Sequence, residues 1–140
     1  MKRILMTGFA VFTLAFVAVG CATGGGQSPE SMIQATLDSW KAAITAKDID
    51  AIMKNYSEKF ENYDWGNKAG AQEFLKGAID QGYLDDIKIV TDALEIKVEG
   101  DTATAGPIDM EGAFGEVSFD LSFAKEEGGW LIVGTESSGV

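Results

Sequence analysis

Histidine is absent from this 140-residue chain, and cysteine occurs once, at Cys21. Those two counts limit the chemistry before folding is considered. A general base near neutrality, a zinc ligand and a pH switch are all most often histidine. Proton transfer would fall instead to the 22 aspartates and glutamates or to the three tyrosines. The acidic residues cluster in "KDID" (47–50), "YLDD" (83–86) and "DMEG" (109–112). A calcium loop needs several oxygen ligands at set spacing around a sharp turn. Asp85 and Asp86 run directly into a strand pattern, and Asp109 and Glu111 lie within one, so no metal or other cofactor is expected. "GCATGGG" (20–26) is glycine-rich, but it follows no strand and lacks the lysine of a phosphate loop. Eleven basic residues against 22 acidic ones leave a net charge of −11. Clustered positive charge is missing, which excludes a nucleic-acid partner. An acidic surface also repels anionic lipid headgroups, so membrane attachment must come from something other than a basic face.

Cys21 has no second cysteine to pair with and no core sequence around it. It stands between the apolar run Ile4–Gly20 and the tract "ATGGGQS". Lys2 and Arg3 precede the run, and small residues end it. A membrane span wants about 20 apolar residues, whereas a basic start, a shorter apolar stretch and a compact cut site describe an export signal. Ala18-Val19-Gly20-Cys21 resembles a bacterial lipobox. That resemblance implies a signal peptide over 1–20, removed in the mature protein, and a Cys21 thiol carrying diacylglycerol. Acyl chains of the palmitate type contribute about 0.8 kcal/mol per buried methylene, enough together for stable anchoring in a bilayer. Residues 21–28 then form a flexible tether. Ala22, in place of aspartate, resembles sorting to the outer membrane, facing the periplasm, if the cell is Gram-negative. Without the leader the chain keeps nine lysines and no arginine.

The remaining residues, 29–140, read as one domain. Residues 29–46 predict a helix capped by Ser28, with Pro29 in the first turn and Ile33, Leu37, Trp40, Ala43 and Ile44 on its apolar side. Asp48 caps a short second helix with Ile49, Ile52, Met53 and Tyr56 facing inward. Residues 59–65 predict a short strand on which Phe60, Asn62 and Asp64 share one parity and Tyr63 and Trp65 the other. A third helix is expected over 68–81, closed by Gly82, with Phe74, Leu75, Ala78 and Ile79 apolar. From Tyr83 onward the pattern is antiparallel strands. The parity change in "DIKIVTDALEIKVEG" predicts a bulge near 90–93. Gly106 and Pro107 mark another irregularity. Val117, Phe119, Leu121 and Phe123 alternate on one face.

Helices followed by long bent strands predict an α+β class, with N-terminal helices packed on a curved antiparallel sheet. The stretch "AAITAKDIDAIMKNYSEKFENYDWGNKAGAQEF", Trp40 in the first helix and the closing "EEGGWLIVGTE" resemble the cone-shaped nuclear transport factor 2-like superfamily, in its SnoaL-like or ketosteroid-isomerase-like branch. The resemblance covers residues 29–137. It implies a pocket at the open end of the cone and places Asp64 at the position of that branch's catalytic aspartate, with Asp109 in the role of a protonated hydrogen-bond donor. Tyr56, Asn62, Asp64 and Asp109 are the ligand-binding candidates. The first helix lacks the tyrosine that the branch uses as its other donor.

Three readings follow. One is a lipid-anchored, non-enzymatic cell-envelope domain binding a small apolar ligand or an envelope protein. The second is an isomerase- or dehydratase-type enzyme with Asp64 as general base. The third is a structural envelope lipoprotein whose interior is filled by Trp40, Phe60, Phe74, Phe119 and Phe123. Tyr63 and Trp65 are expected in the core, or else facing out as a binding spot. Ser118, Asp120 and Ser122 make one sheet face too polar to demand an obligate homodimer, so the expected dimer is weak or absent.

Overall fold

The computed structural model describes residues 28–127 and 129–137. The expected signal peptide, Cys21 and most of the expected tether lie outside the described residues. Helix α1 (Pro29–Ala46) begins where the Ser28 hydroxyl accepts a hydrogen bond from the Ser31 N–H at 3.2 Å. It ends at Lys47, whose left-handed φ of 55° turns its N–H onto the carbonyls of Ala43 and Ile44. Ile33, Leu37, Trp40 and Ile44 form the buried stripe that the spacing predicts. Helix α2 (Ile49–Met53) is capped by Asp48 through the Ala51 N–H.

The chain then leaves helical geometry and joins a sheet edge. The Ser57 N–H donates to the Ile132 carbonyl at 2.8 Å, and the Ile132 N–H donates to the Asn55 carbonyl at 2.8 Å. These two bonds fix the intervening Tyr56 in a strand-like register, with its side chain buried.

The strand expected over 59–65 shrinks to two residues. β1 (Glu61–Asn62) pairs with β2 (Gly66–Asn67) as a tight hairpin. The Asn62 side-chain carbonyl accepts from the N–H groups of Asp64 (2.8 Å) and Trp65 (3.1 Å), so local side-chain bonds replace a ladder. Tyr63 is thereby carried to the hairpin tip and is fully exposed, not in the core. Trp65 is half-buried. Helix α3 (Lys68–Asp80) follows, capped by Asn67.

Five strands complete the domain: β3 (Lys88–Val90), β4 (Glu95–Glu99), β5 (Thr102–Gly112), β6 (Gly115–Glu126) and β7 (Gly129–Ser137). All neighbouring pairs are antiparallel. β3 and β4 lie end to end on one edge of β5, and β6 and β7 follow on the other side. The bulge expected near 90–93 is a complete break between two strands. Register shifts between Ala105 and Ile108 on β5, and at Ser122/Phe123 between β6 and β7, bend the long strands.

The helices cover the inner face of this curved sheet, where Ile33 and Leu37 share a core with Ala103, Phe123, Trp130 and Ile132. The Thr36 hydroxyl donates to the Trp130 carbonyl at 2.8 Å, fixing the first half of α1 beside the β6–β7 turn. This is the closed end. Along the inner face of β6, burial falls steadily away from it. Phe123 and Leu121 are fully covered, Phe119 is half-buried, and Val117 is 45% exposed. The sheet thus opens at its far end, where the helices no longer reach across it.

Candidate functional site

The open end encloses a cavity of about 650 Å³, within the range of sites that hold small molecules. Trp40 and Ile44 of α1, Ala78 of α3, Met110 of β5 and Leu121 of β6 form its apolar walls. Phe74, which was expected to fill the interior, is 49% exposed at the rim. Tyr83, Phe114 and Val117 stand there too, each 40–45% exposed. These are the principal exposed apolar side chains of the described residues besides Tyr63, and they surround one opening. Trp65 stacks on Phe74 with centroids 4.4 Å apart, and Phe60 lies behind it at 6.4 Å, so an aromatic column runs from the core to the rim.

Tyr56 supplies the most deeply placed polar group. Its phenol oxygen accepts a hydrogen bond from the Trp40 ring N–H at 3.3 Å. Burial pushes the phenol up to about 12, against a smaller lowering by the Trp40 bond. The phenol therefore stays protonated. Thr135 also lines the cavity, and its hydroxyl is buried with no hydrogen-bond partner among the described residues. Asn62 lines it as well, but its amide N–H donates to the Thr135 carbonyl at 3.1 Å while its oxygen holds the hairpin turn. Its role is to tie the hairpin to β7. Asp64 and Glu73 stand exposed at the mouth.

The raised phenol has a consequence for stability. Above pH 10 the unfolded tyrosine ionises, while the folded one keeps its proton until about 12. Stability is therefore fully present below pH 10 and falls as pH rises through that window, by about 2–3 kcal/mol from this group. Urea unfolding at about pH 9 and about pH 11.5 should show that Tyr56→Phe removes this part of the decline. Equal declines in both proteins would refute the assignment.

Asp109 does not join Asp64. Ala103 and Ala105 point inward on β5, and regular alternation would send Asp109 the same way. The bulge between Ala105 and Ile108 resets the parity, so Ile108 and Met110 are buried instead. Asp109 therefore faces the other side of the strand, half-buried, aligned with Val90 and Ser118, and does not line the cavity. The expected carboxylate pair is not assembled. The shift opposite Ser122/Phe123 does the reverse on β7. Trp130 and Ile132 point inward before it, and Thr135 and Ser137 meet the cavity after it. Thr135 was missed in the sequence because this parity reset leaves no compositional mark. Among the described residues, no three acidic or thiol side chains converge to hold a metal ion, and no helix is long and apolar enough to cross a membrane.

A curved antiparallel sheet with helices over its inner face and a cavity at the open end defines a nuclear transport factor 2-like fold. Solved structures agree. A protein of this fold and unknown function from Shewanella oneidensis superposes with a TM-score of 0.64 at 21% identity, over 80% of this chain and 100% of the other. One from Pseudomonas putida gives 0.64 at 15%, over 76% and 82%. Bd1075 of Bdellovibrio bacteriovorus gives 0.66 at 17%, covering 77% of this chain, which spans only 40% of the length of that protein. No family model matches the sequence, and no curated protein does. Identities this low establish the fold and leave the function to the site itself.

Proposed function

We propose that this chain is a lipid-anchored cell-envelope domain that binds a small apolar ligand in the open-ended cavity without transforming it. The observation that carries the reading is the 650 Å³ cavity with apolar walls and an exposed aromatic rim. A filled interior, as a purely structural part would have, leaves no such space. An isomerase or dehydratase would need a second proton-handling group facing Asp64, and Asp109 lies across the strand from the cavity. Tyr56, whose phenol stays protonated, lines the cavity without supplying a base. Attachment through an acylated Cys21 rests on the lipobox resemblance. On that reading the tether joins the domain at its closed end, where the first half of α1 packs by the β6–β7 turn.

Native purification from membranes, with intact-mass and bound-ligand analysis, tests both parts. The expected result is a chain beginning at acylated Cys21, with Cys21→Ser giving an unacylated chain that keeps its leader, together with a co-purifying apolar molecule. An unlipidated mass would remove the anchor. Failure of any apolar compound to bind would remove the ligand reading.

A further inference from the structure

The rim of the cavity has a sign as well as a polarity. Among the described residues, Asp64 and Glu73 are its only formally charged lining residues, and no lysine lines it. Neither carboxylate forms an ion pair with lysine among the described residues, so neither charge is neutralised by a described cation of the chain. Each of the two is the chain neighbour of a ring in the tightest aromatic stack. Asp64 precedes Trp65, Glu73 precedes Phe74, and the rings lie 4.4 Å apart, tilted by 17°. Tyr83 and Phe114 add two more rings at the same opening. Aromatic faces attract cations through their quadrupole, most strongly where water is partly excluded. Trp65 lies between Phe60 and Phe74, so the face left open at the rim is the outer face of Phe74. Carboxylates lining the same mouth add a direct attraction, and a net charge of −11 sets the background field in the same direction. An anionic amphiphile such as a fatty acid meets the opposite conditions: no cation to pair with, and two like charges at the entrance.

We infer that the ligand is a lipophilic cation, an amphiphile whose apolar body fills the cavity and whose positively charged nitrogen sits at the mouth, near Asp64 and Glu73 and over the exposed outer face of Phe74. This rests on the reading of the cavity as an apolar ligand site and adds the charge of the ligand to it.

Three probes of equal chain length separate the two claims: decyltrimethylammonium, decanol and decanoate, each below its micellar concentration. Trp40 and Trp65 line the cavity, so tryptophan fluorescence reports occupancy, and calorimetry confirms it. The cation is expected to bind about 10-fold tighter than decanol, decanoate weaker than both, with the preference shrinking as salt rises. The double variant Asp64→Asn/Glu73→Gln should bring the cation to within about threefold of decanol, read as the ratio of the two affinities in the same variant. Both positions are exposed, so thermal unfolding of the variant should match the parent. Decanol binding as tightly as the cation would overturn the charge preference while the cavity reading stands. Binding by none of the three would overturn both.

Discussion

Gly77→Trp is expected to abolish binding of a neutral apolar probe such as N-phenyl-1-naphthylamine while leaving the domain as stable as before, or slightly more so. Gly77 sits on the cavity face of α3, and a Cβ placed there would meet only the Gln81 side chain, at 3.8 Å. The indole would extend into space that is empty and would close the opening from the helix side. Denying a ligand about 110 Å² of apolar contact, at roughly 25 cal/mol per Å², weakens binding by about 100-fold. The helix itself gains from losing a mid-helix glycine, by a few tenths of a kcal/mol for an aromatic replacement. Fluorescence titration and a melting curve on the same sample check both halves. Undiminished probe binding in a folded variant would place the binding surface elsewhere on the molecule.

The helices and the site were legible to different depths, for a physical reason. Helix signals are local: Ser28, Asp48 and Asn67 each cap through a bond to an N–H three residues on, and a stripe such as Ile33, Leu37, Trp40 and Ile44 repeats within one segment. Strand facing is not local in the same way. It depends on an alternation that one extra residue inverts. The sequence reading marked Gly106–Pro107 as irregular but did not carry the inversion forward to Asp109, three residues beyond Gly106. The same kind of slip hid Thr135. The hairpin error was different. Phe60 through Trp65 alternates like a strand, yet Asn62 can satisfy two N–H groups with one side-chain oxygen, and a turn resulted. Tyr63 went to the surface because of that choice.

The cavity was legible only as an implication of the fold. Its volume depends on small residues where helix faces sheet, with Gly77 and Ala78 standing where larger side chains would have met Phe119 and Leu121. Composition does not distinguish a small residue that lets two elements touch from one that keeps a space open. The exposed rings of Phe74, Tyr83 and Phe114 carry the missing information. Each costs apolar surface left in water, and their gathering at one opening gives that cost a common use.

The glycine seven residues earlier on the same helix should behave in the opposite way. Gly70→Ala is expected to destabilise the domain by at least about 3 kcal/mol, lowering its melting temperature by roughly 10–20 °C. Helix propensity alone predicts the reverse sign, since alanine is favoured over glycine by about 1 kcal/mol in a helix. The difference lies in what the new methyl meets. A Cβ at Gly70 would fall 1.7 Å from the Trp65 carbonyl oxygen and 2.9 Å from its carbonyl carbon. These are backbone atoms, so no rotamer change relieves the overlap. The chain on one side must move. Moving α3 breaks its Asn67 cap, the 3.1 Å bond from the Gly70 N–H itself. Moving the hairpin strains the Asn62 bonds to Asp64, Trp65 and Thr135 and pulls Trp65 off Phe74. Either response opens the rim, so probe binding and stability should fall together. Gly77→Ala, with its nearest contact at 3.8 Å, should instead gain up to about 1 kcal/mol from the propensity term. Urea unfolding of the two variants side by side gives opposite signs if the close approach of Trp65 to α3 holds the rim in place. Matching gains would mean that the hairpin is free to yield.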